Sequence, residues 1–129
     1  MDRKELFEKK PKIKINNKIS FCPTSAAMEL IGGKWKSVIL THLIGDKKRY
    51  NELRKEIPGI TERTLSLQLK QLEADGMVNR RVFTKKPPLK VEYTLTEFGQ
   101  TLVPILNLIV DWGLQAAETK GEFLFEETK

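Results

Sequence analysis

The chain has 129 residues, with 40% apolar and 31% charged side chains, eight glycines, six prolines and a net charge of +6. That length fits one domain with a core of its own, and the mixture is globular rather than fibrous or disordered. It also excludes several classes. No run of eighteen apolar residues occurs, so no membrane span is expected. The first twenty residues are charged throughout, unlike a secretory signal. One cysteine and one histidine cannot supply an internal disulfide or the usual zinc ligand set. A cytoplasmic chain without metal or other cofactor is expected.

The distribution of charge says more than its sum. Residues 1–20 carry seven basic and three acidic side chains, and residues 45–90 carry twelve and six. Residues 91–129 reverse the balance, with two basic and seven acidic. A basic region beside an acidic one suits a nucleic-acid face with a separate face for something else. Solvated charge without a partner is the plain alternative.

Residues 1–20 show no periodicity and read as a basic arm, partly extended. Phe21-Cys22-Pro23 then opens a helix, because proline is favoured at the first helical position, where its missing N–H would be unpaired anyway. Cys22 falls at the N-cap, and Gly32-Gly33 ends the helix after Ile31. Trp35, Val38, Ile39 and Leu43 recur at i, i+3, i+4 and i+8 and mark a second helix ending before Gly45-Asp46. A basic loop, Asp46-Lys47-Lys48-Arg49, leads to a short helix over 51–57 with Asn51 as its cap. Pro58-Gly59 breaks it, and Thr61 caps the next helix, whose Leu65, Leu69 and Leu72 form one apolar stripe before Asp75-Gly76. Two helices meeting across a tight turn, the second with a narrow buried stripe, predict helix-turn-helix geometry.

The period then changes. Met77-Val78 and Val82-Phe83 flank Asn79-Arg80-Arg81, and Val91, Tyr93 and Leu95 alternate with Glu92 and Thr94. This reads as a hairpin, with a basic, proline-containing loop at 85–90 forming a wing. Thr96 caps a last helix running past Gly113, which Pro104 is expected to bend. In that helix Asn107, Asp111, Gln115 and Glu118 make a single polar stripe, and apolar residues fill nearly all the rest. On an ideal wheel the apolar face covers about 240°, whereas an ordinary amphipathic helix needs somewhat over 100°. A second chain would cover the excess, through Leu102, Ile105, Leu106, Ile109 and Trp112. The alternative is a central helix in a small monomeric core. The fold class is therefore mainly α with a small β-hairpin wing (α+β), dimerised through terminal helices.

Taken together, Cys22-Pro23, Leu30-Ile31-Gly32-Gly33-Lys34-Trp35, Glu52-Leu53-Arg54, Leu65-x-x-x-Leu69-x-x-Leu72-Glu73-x-Asp75-Gly76 and Val91-Glu92-Tyr93-x-Leu95-Thr96 resemble the HxlR-type winged helix-turn-helix regulators of bacteria and archaea. Leu89 departs from the pattern, standing where the family's wing usually has its second proline. The resemblance implies a homodimeric regulator that binds promoter DNA, often as a repressor, and in some members senses electrophiles or oxidants through a cysteine at the position of Cys22. It covers roughly residues 21–113 and says nothing about the long basic arm, so the chain reads as a basic arm at 1–20, a winged-helix domain with its dimerisation helix at 21–113, and an acidic tail at 114–129.

The helix of residues 61–75 would enter the major groove N-terminus first. With its leucine stripe buried, Arg63, Leu67 and Lys70 point outward, flanked by Thr61, Thr64 and Gln71, and these six are the candidate base contacts. The Arg63 fork matches the two acceptors of guanine, and Leu67 suits a thymine methyl. A solvated helix face is the alternative. Lys47, Lys48, Arg49, Arg54, Lys55, Lys85, Lys86 and Lys90 are assigned to phosphates, which fix position without reading sequence. Arg80 and Arg81 face opposite ways on one strand, so at most one reaches the DNA backbone. A thiol at a helix N-terminus feels the positive end of the dipole, which favours the reactive thiolate. Cys22 is thus a candidate site for a small electrophile or oxidant, with a small packing residue as the alternative. With no second cysteine, a sensing disulfide would join Cys22 to its counterpart in a second chain or to a small thiol. His42 reads as a packed or edge residue, and no catalytic set is found. The leading function is a sequence-specific dimeric regulator on double-stranded DNA. A winged-helix module used only for protein–protein contact is the alternative, and an enzyme is a distant third.

Overall fold

A computed structural model describes residues 1–126 as seven helices and five short strands. The basic arm is partly extended, as a short hairpin, and partly helical. Helix α1 (Arg3–Lys9) is capped by the Asp2 carboxylate, which accepts from the Glu5 N–H at 2.8 Å. Strands β1 (Ile13–Ile15) and β2 (Lys18–Ser20) then pair as a hairpin with Ile13 opposite Ser20. Its turn is Asn16-Asn17, with φ of 50° and 66°, the backbone a tight primed hairpin turn demands and asparagine tolerates. Three-residue strands with a single buried side chain, Ser20, are too short for alternation to reveal them.

Helix α2 (Pro23–Ile31) starts on Cys22 and stops at Gly32 as expected. Helix α3 (Lys36–His42) carries Ile39, Leu40 and Leu43 into the core. The basic loop that follows is not free: Lys48–Arg49 form β3, and helix α4 (Tyr50–Glu56) begins directly on it. Its cap is therefore Arg49, whose N–H donates to Glu52 Oε1 at 3.0 Å, and not Asn51. Helix α5 (Glu62–Ala74) is capped by Thr61, which accepts from the Thr64 N–H at 3.1 Å. It ends at Gly76, whose φ of +76° suits glycine.

Strands β4 (Val78–Val82) and β5 (Val91–Leu95) form the wing hairpin, and β3 adds to the free edge of β5 in an antiparallel sheet of order β3-β5-β4. Two basic residues have no apolar alternation, so only the backbone ladder, Lys48 opposite Tyr93 and Arg49 opposite Glu92, makes them a strand. The expected single terminal helix is two. Thr96 caps the four-residue α6 (Glu97–Gln100), and α7 (Val103–Lys120) starts anew with Pro104 in its first turn. The proline does not bend a helix but begins one, where its missing N–H costs nothing. Because α7 runs to Lys120, the segment at 114–129 opens helical, and residues 127–129 lie outside the described residues.

The core gathers α3, α4, α5, β4, β5 and the first turns of α7 around Ile39, Leu40, Leu53, Leu65, Leu69 and Leu72. Leu106 is 0% exposed within this core, so it cannot meet a second chain as its sequence position suggested. From Asn107 onward no described residue of α7 is buried.

One corner tests this packing. The Gly99 Cα lies against the Met77 carbonyl, and an added Cβ would collide with that oxygen and touch Thr96 Oγ1 at 3.4 Å. Helix propensity alone would make Gly99→Ala stabilising by about 1 kcal/mol. The collision should win, with a net loss of about 1–3 kcal/mol in urea unfolding. Increased stability would mean that α6 is free to move off β4.

Candidate nucleic-acid interface

Burial of Leu65, Leu69 and Leu72 on one side of α5 leaves Arg63, Leu67, Lys70 and Gln71 exposed on the other, with Thr64 partly covered. Leu67 is 50% exposed, at a place where water would favour a polar side chain. Helix α5 is tied to α4 from two directions. Arg54 Nη1 pairs with Glu62 Oε1 at 2.5 Å, and the Tyr50 hydroxyl donates to the Glu62 carbonyl at 3.0 Å while lying 2.9 Å from Ser66 Oγ. These contacts hold the first two turns, the part of a recognition helix that reaches base edges.

The eight assigned phosphate cations divide into two groups. Lys48 Nζ contacts Glu56 Oε1 at 2.7 Å, Lys47 lies 3.9 Å from Glu92, and Arg54 is bound to Glu62. The hydrogen bond to Glu56 raises the Lys48 ammonium above its ordinary pKa and lowers the Glu56 carboxyl below its own, so this lysine serves the fold. Glu56 also takes His42 Nδ1 at 3.4 Å, which makes His42 an edge residue bridging α3 and α4. Among the described residues, Arg49, Lys55, Lys85, Lys86 and Lys90 form no ion pair and are the cations left to face an anion. The last three stand on the wing, closed by Phe83 N–H to the Lys90 carbonyl at 2.8 Å and by Thr84 Oγ1, which accepts from Lys90 N–H at 3.1 Å.

Two residues of this face, Tyr50 and Ser66, escaped sequence reasoning. Tyr50, Ser66 and Arg80 line an open groove of about 430 Å³ between α5 and the wing, together with Lys70, Glu73 and Tyr93. Arg80 sits opposite Tyr93 across the sheet, and burial raises the Tyr93 hydroxyl above its ordinary pKa although Arg80 opposes the shift. Of the two adjacent arginines, Arg80 therefore faces α5, while Arg81 lies over the Phe83 ring at 4.7 Å. Strand alternation predicted opposite faces; which face was α5's needed the sheet's orientation.

Cys22 is an exposed N-cap. Its Sγ accepts from the Ser25 N–H at 3.4 Å and lies 3.2 Å from Ser25 Oγ. These hydrogen bonds, the side-chain one first, lower the thiol pKa below its usual value. The β1–β2 hairpin precedes Cys22 directly in the chain, and its Asn16 Nδ2 donates to the carbonyl of Asp75, the C-cap of α5, at 3.4 Å. The arm thus touches the C-terminal end of α5. Among the described residues no helix is long and apolar enough to cross a membrane, and no group of His, Cys, Asp and Glu could hold a metal ion.

The family model for HxlR-like helix-turn-helix proteins matches residues 30–121, which takes in α3 through α7 and begins after Cys22. The HTH-type transcriptional regulator YdeP of Bacillus subtilis (strain 168) is 54% identical over 92 residues, 71% of each chain. The redox regulator HypR in its oxidised form superposes with a TM-score of 0.68 at 51% identity, covering 73% of this chain and 96% of that one. HypR in its reduced form gives a TM-score of 0.68 at 50% identity, covering 73% and 92%. The family match and these identities show that the chain belongs to the HxlR-like helix-turn-helix family of DNA-binding transcriptional regulators.

Proposed function

We propose that the chain acts as a homodimeric, sequence-specific repressor on a palindromic promoter site in the cytoplasm, and that the state of Cys22 sets its affinity for that site. The observation that carries the DNA reading is the outward face of α5, with Arg63 and the half-exposed Leu67 open to solvent, together with a wing whose Lys85, Lys86 and Lys90 form no ion pair among the described residues. Thr61, Arg63, Thr64, Leu67, Lys70 and Gln71 read bases, and Arg49, Lys55 and the wing lysines neutralise phosphates.

Arg63→Ala should cost roughly 1–3 kcal/mol per half-site and relax preference at one base pair. Lys86→Ala should weaken all sequences alike and flatten the salt dependence. Quantitative gel shifts on the DNA upstream of its own gene separate the two. Equal weakening of specific and nonspecific DNA by Arg63→Ala would make that residue a phosphate contact, and no binding at any sequence would favour a protein-docking module.

The dimer rests on α7. Ile105, Leu108, Ile109 and Trp112 are exposed in the single chain, Trp112 by 68%, a patch that soluble monomers rarely leave open. Pairing about a two-fold axis would set two recognition helices about 34 Å apart, one turn of DNA. Sedimentation at micromolar concentration should show a dimer that Ile109→Asp dissociates; a monomer unaffected by that change would refute it.

For the switch, an electrophile would add to the thiolate. Alternatively, two Cys22 thiols would give two protons and two electrons to an oxidant and join as a disulfide, or one would pair with a small thiol. HypR, described as a redox regulator, supports this reading for a relative. Diamide should change operator affinity in the unsubstituted protein and leave Cys22→Ser unchanged. Unaltered affinity after complete modification would reduce Cys22 to a capping residue.

A further inference from the structure

Beside Cys22 lies an apolar groove of about 570 Å³ that the DNA reading does not use. Leu6 and Phe7 of α1, Ile13 of β1 and Phe21 supply its walls, and Arg3 and Lys10 stand in its lining. The side chains of Phe7 and Phe21 are mostly exposed there. A second unpartnered apolar feature lies at the other end of the chain. Beyond α7 the segment Glu122-Phe123-Leu124-Phe125-Glu126 has no regular structure, and its Leu124 and Phe125 are 83% and 88% exposed.

We infer that the acidic aromatic segment 122–126 of one chain docks in the basic apolar groove beside Cys22 of a second copy. This rests on the dimer proposed above. The two surfaces match in kind: two phenylalanines and a leucine bracketed by glutamates, against leucine, isoleucine and phenylalanine flanked by arginine and lysine. The charges are opposite on the larger scale too, since residues 1–20 carry a net +4 and residues 91–129 a net −5. In the single chain no residue of 121–126 lines the groove, and the segment hangs at the end of a helix about 27 Å long whose second half is uncovered. Dimerisation through α7 turns this docking into an intramolecular event at high effective concentration, so a contact of modest intrinsic strength suffices. Docked, the segment would lie over Cys22 and limit access to it.

The test mixes full-length chains carrying Cys22→Ser and Leu124→Cys with unsubstituted chains bearing a mass tag, allows subunit exchange, and adds diamide. A bond between Cys22 of one chain and position 124 of the other removes one hydrogen from each thiol, and diamide takes both to become the hydrazine. The expected result is a covalent pair of one tagged and one untagged chain, formed on the order of a hundredfold faster than with Glu97→Cys in place of Leu124→Cys. Phe7→Asp in the tagged chain, or high salt, should slow it. Dimers by sedimentation that cross-link no faster than the Glu97→Cys control would overturn the docking and leave the dimer standing. Monomers would overturn both. If Leu124→Cys alone closes a bond to Cys22 within one chain, the segment folds back on its own subunit, and the second-copy assignment falls.

Discussion

The burial of one leucine stripe decides what this molecule can do. Leu65, Leu69 and Leu72 lie along a single side of α5 and are all but sealed against α3 and β4. A helix is a rigid cylinder, so fixing one stripe fixes the azimuth of every other residue on it. Arg63, Leu67 and Lys70 face out because three leucines face in. The same core seats Met77 and Val78, which start the wing strand at a set distance from α5. A single packed contact therefore positions both the helix that would read bases and the hairpin that would hold the phosphate backbone.

Polar contacts refine that arrangement rather than create it. The Tyr50 hydroxyl and the Arg54–Glu62 pair bind the opening turns of α5 to α4, at exposed sites where a hydrogen bond contributes about 1 kcal/mol and an ion pair less. Their value is in direction. A base-edge contact is lost over a small angular error, so two fixed points near Glu62 and Ser66 matter more for geometry than for stability. The pairing of Lys48 with Glu56 works likewise, spending a cation on the α4–β3 corner that charge counting had given to DNA.

The periphery is built on a different principle. Both ends of the chain expose apolar side chains that the shared core does not need: the outer face of α7, the segment after it, and the groove beneath α1. Water opposes such surfaces, and a second chain is the cover that the two-fold reading supplies. Cys22 lines that groove, caps α2 and follows the β1–β2 hairpin, whose Asn16 touches Asp75 at the end of α5. A change in the covalent state of the thiol would act on the least buried part of the fold, where small energies move structure most readily.

The sequence determined what depends on neighbours in the chain. Pro23 after Cys22, Thr61 three residues before Thr64, and leucines at four- and three-residue spacing each set a local backbone state or a helix face, so α2, α5 and the wing were legible, and with them the outward residues of the recognition helix. Other features were decided only by tertiary contact. Lys48–Arg49 became a strand because β5 offered an open edge, Leu106 turned to the core because α7 restarts after Leu102, and Arg80 rather than Arg81 met α5 because the sheet faces that way. The asparagine turn of the arm was present in the sequence, but strands of three residues carry too few side chains to announce themselves. Local rules fix an element's periodicity; its partners fix which of its faces is used, and those partners lie far away along the chain.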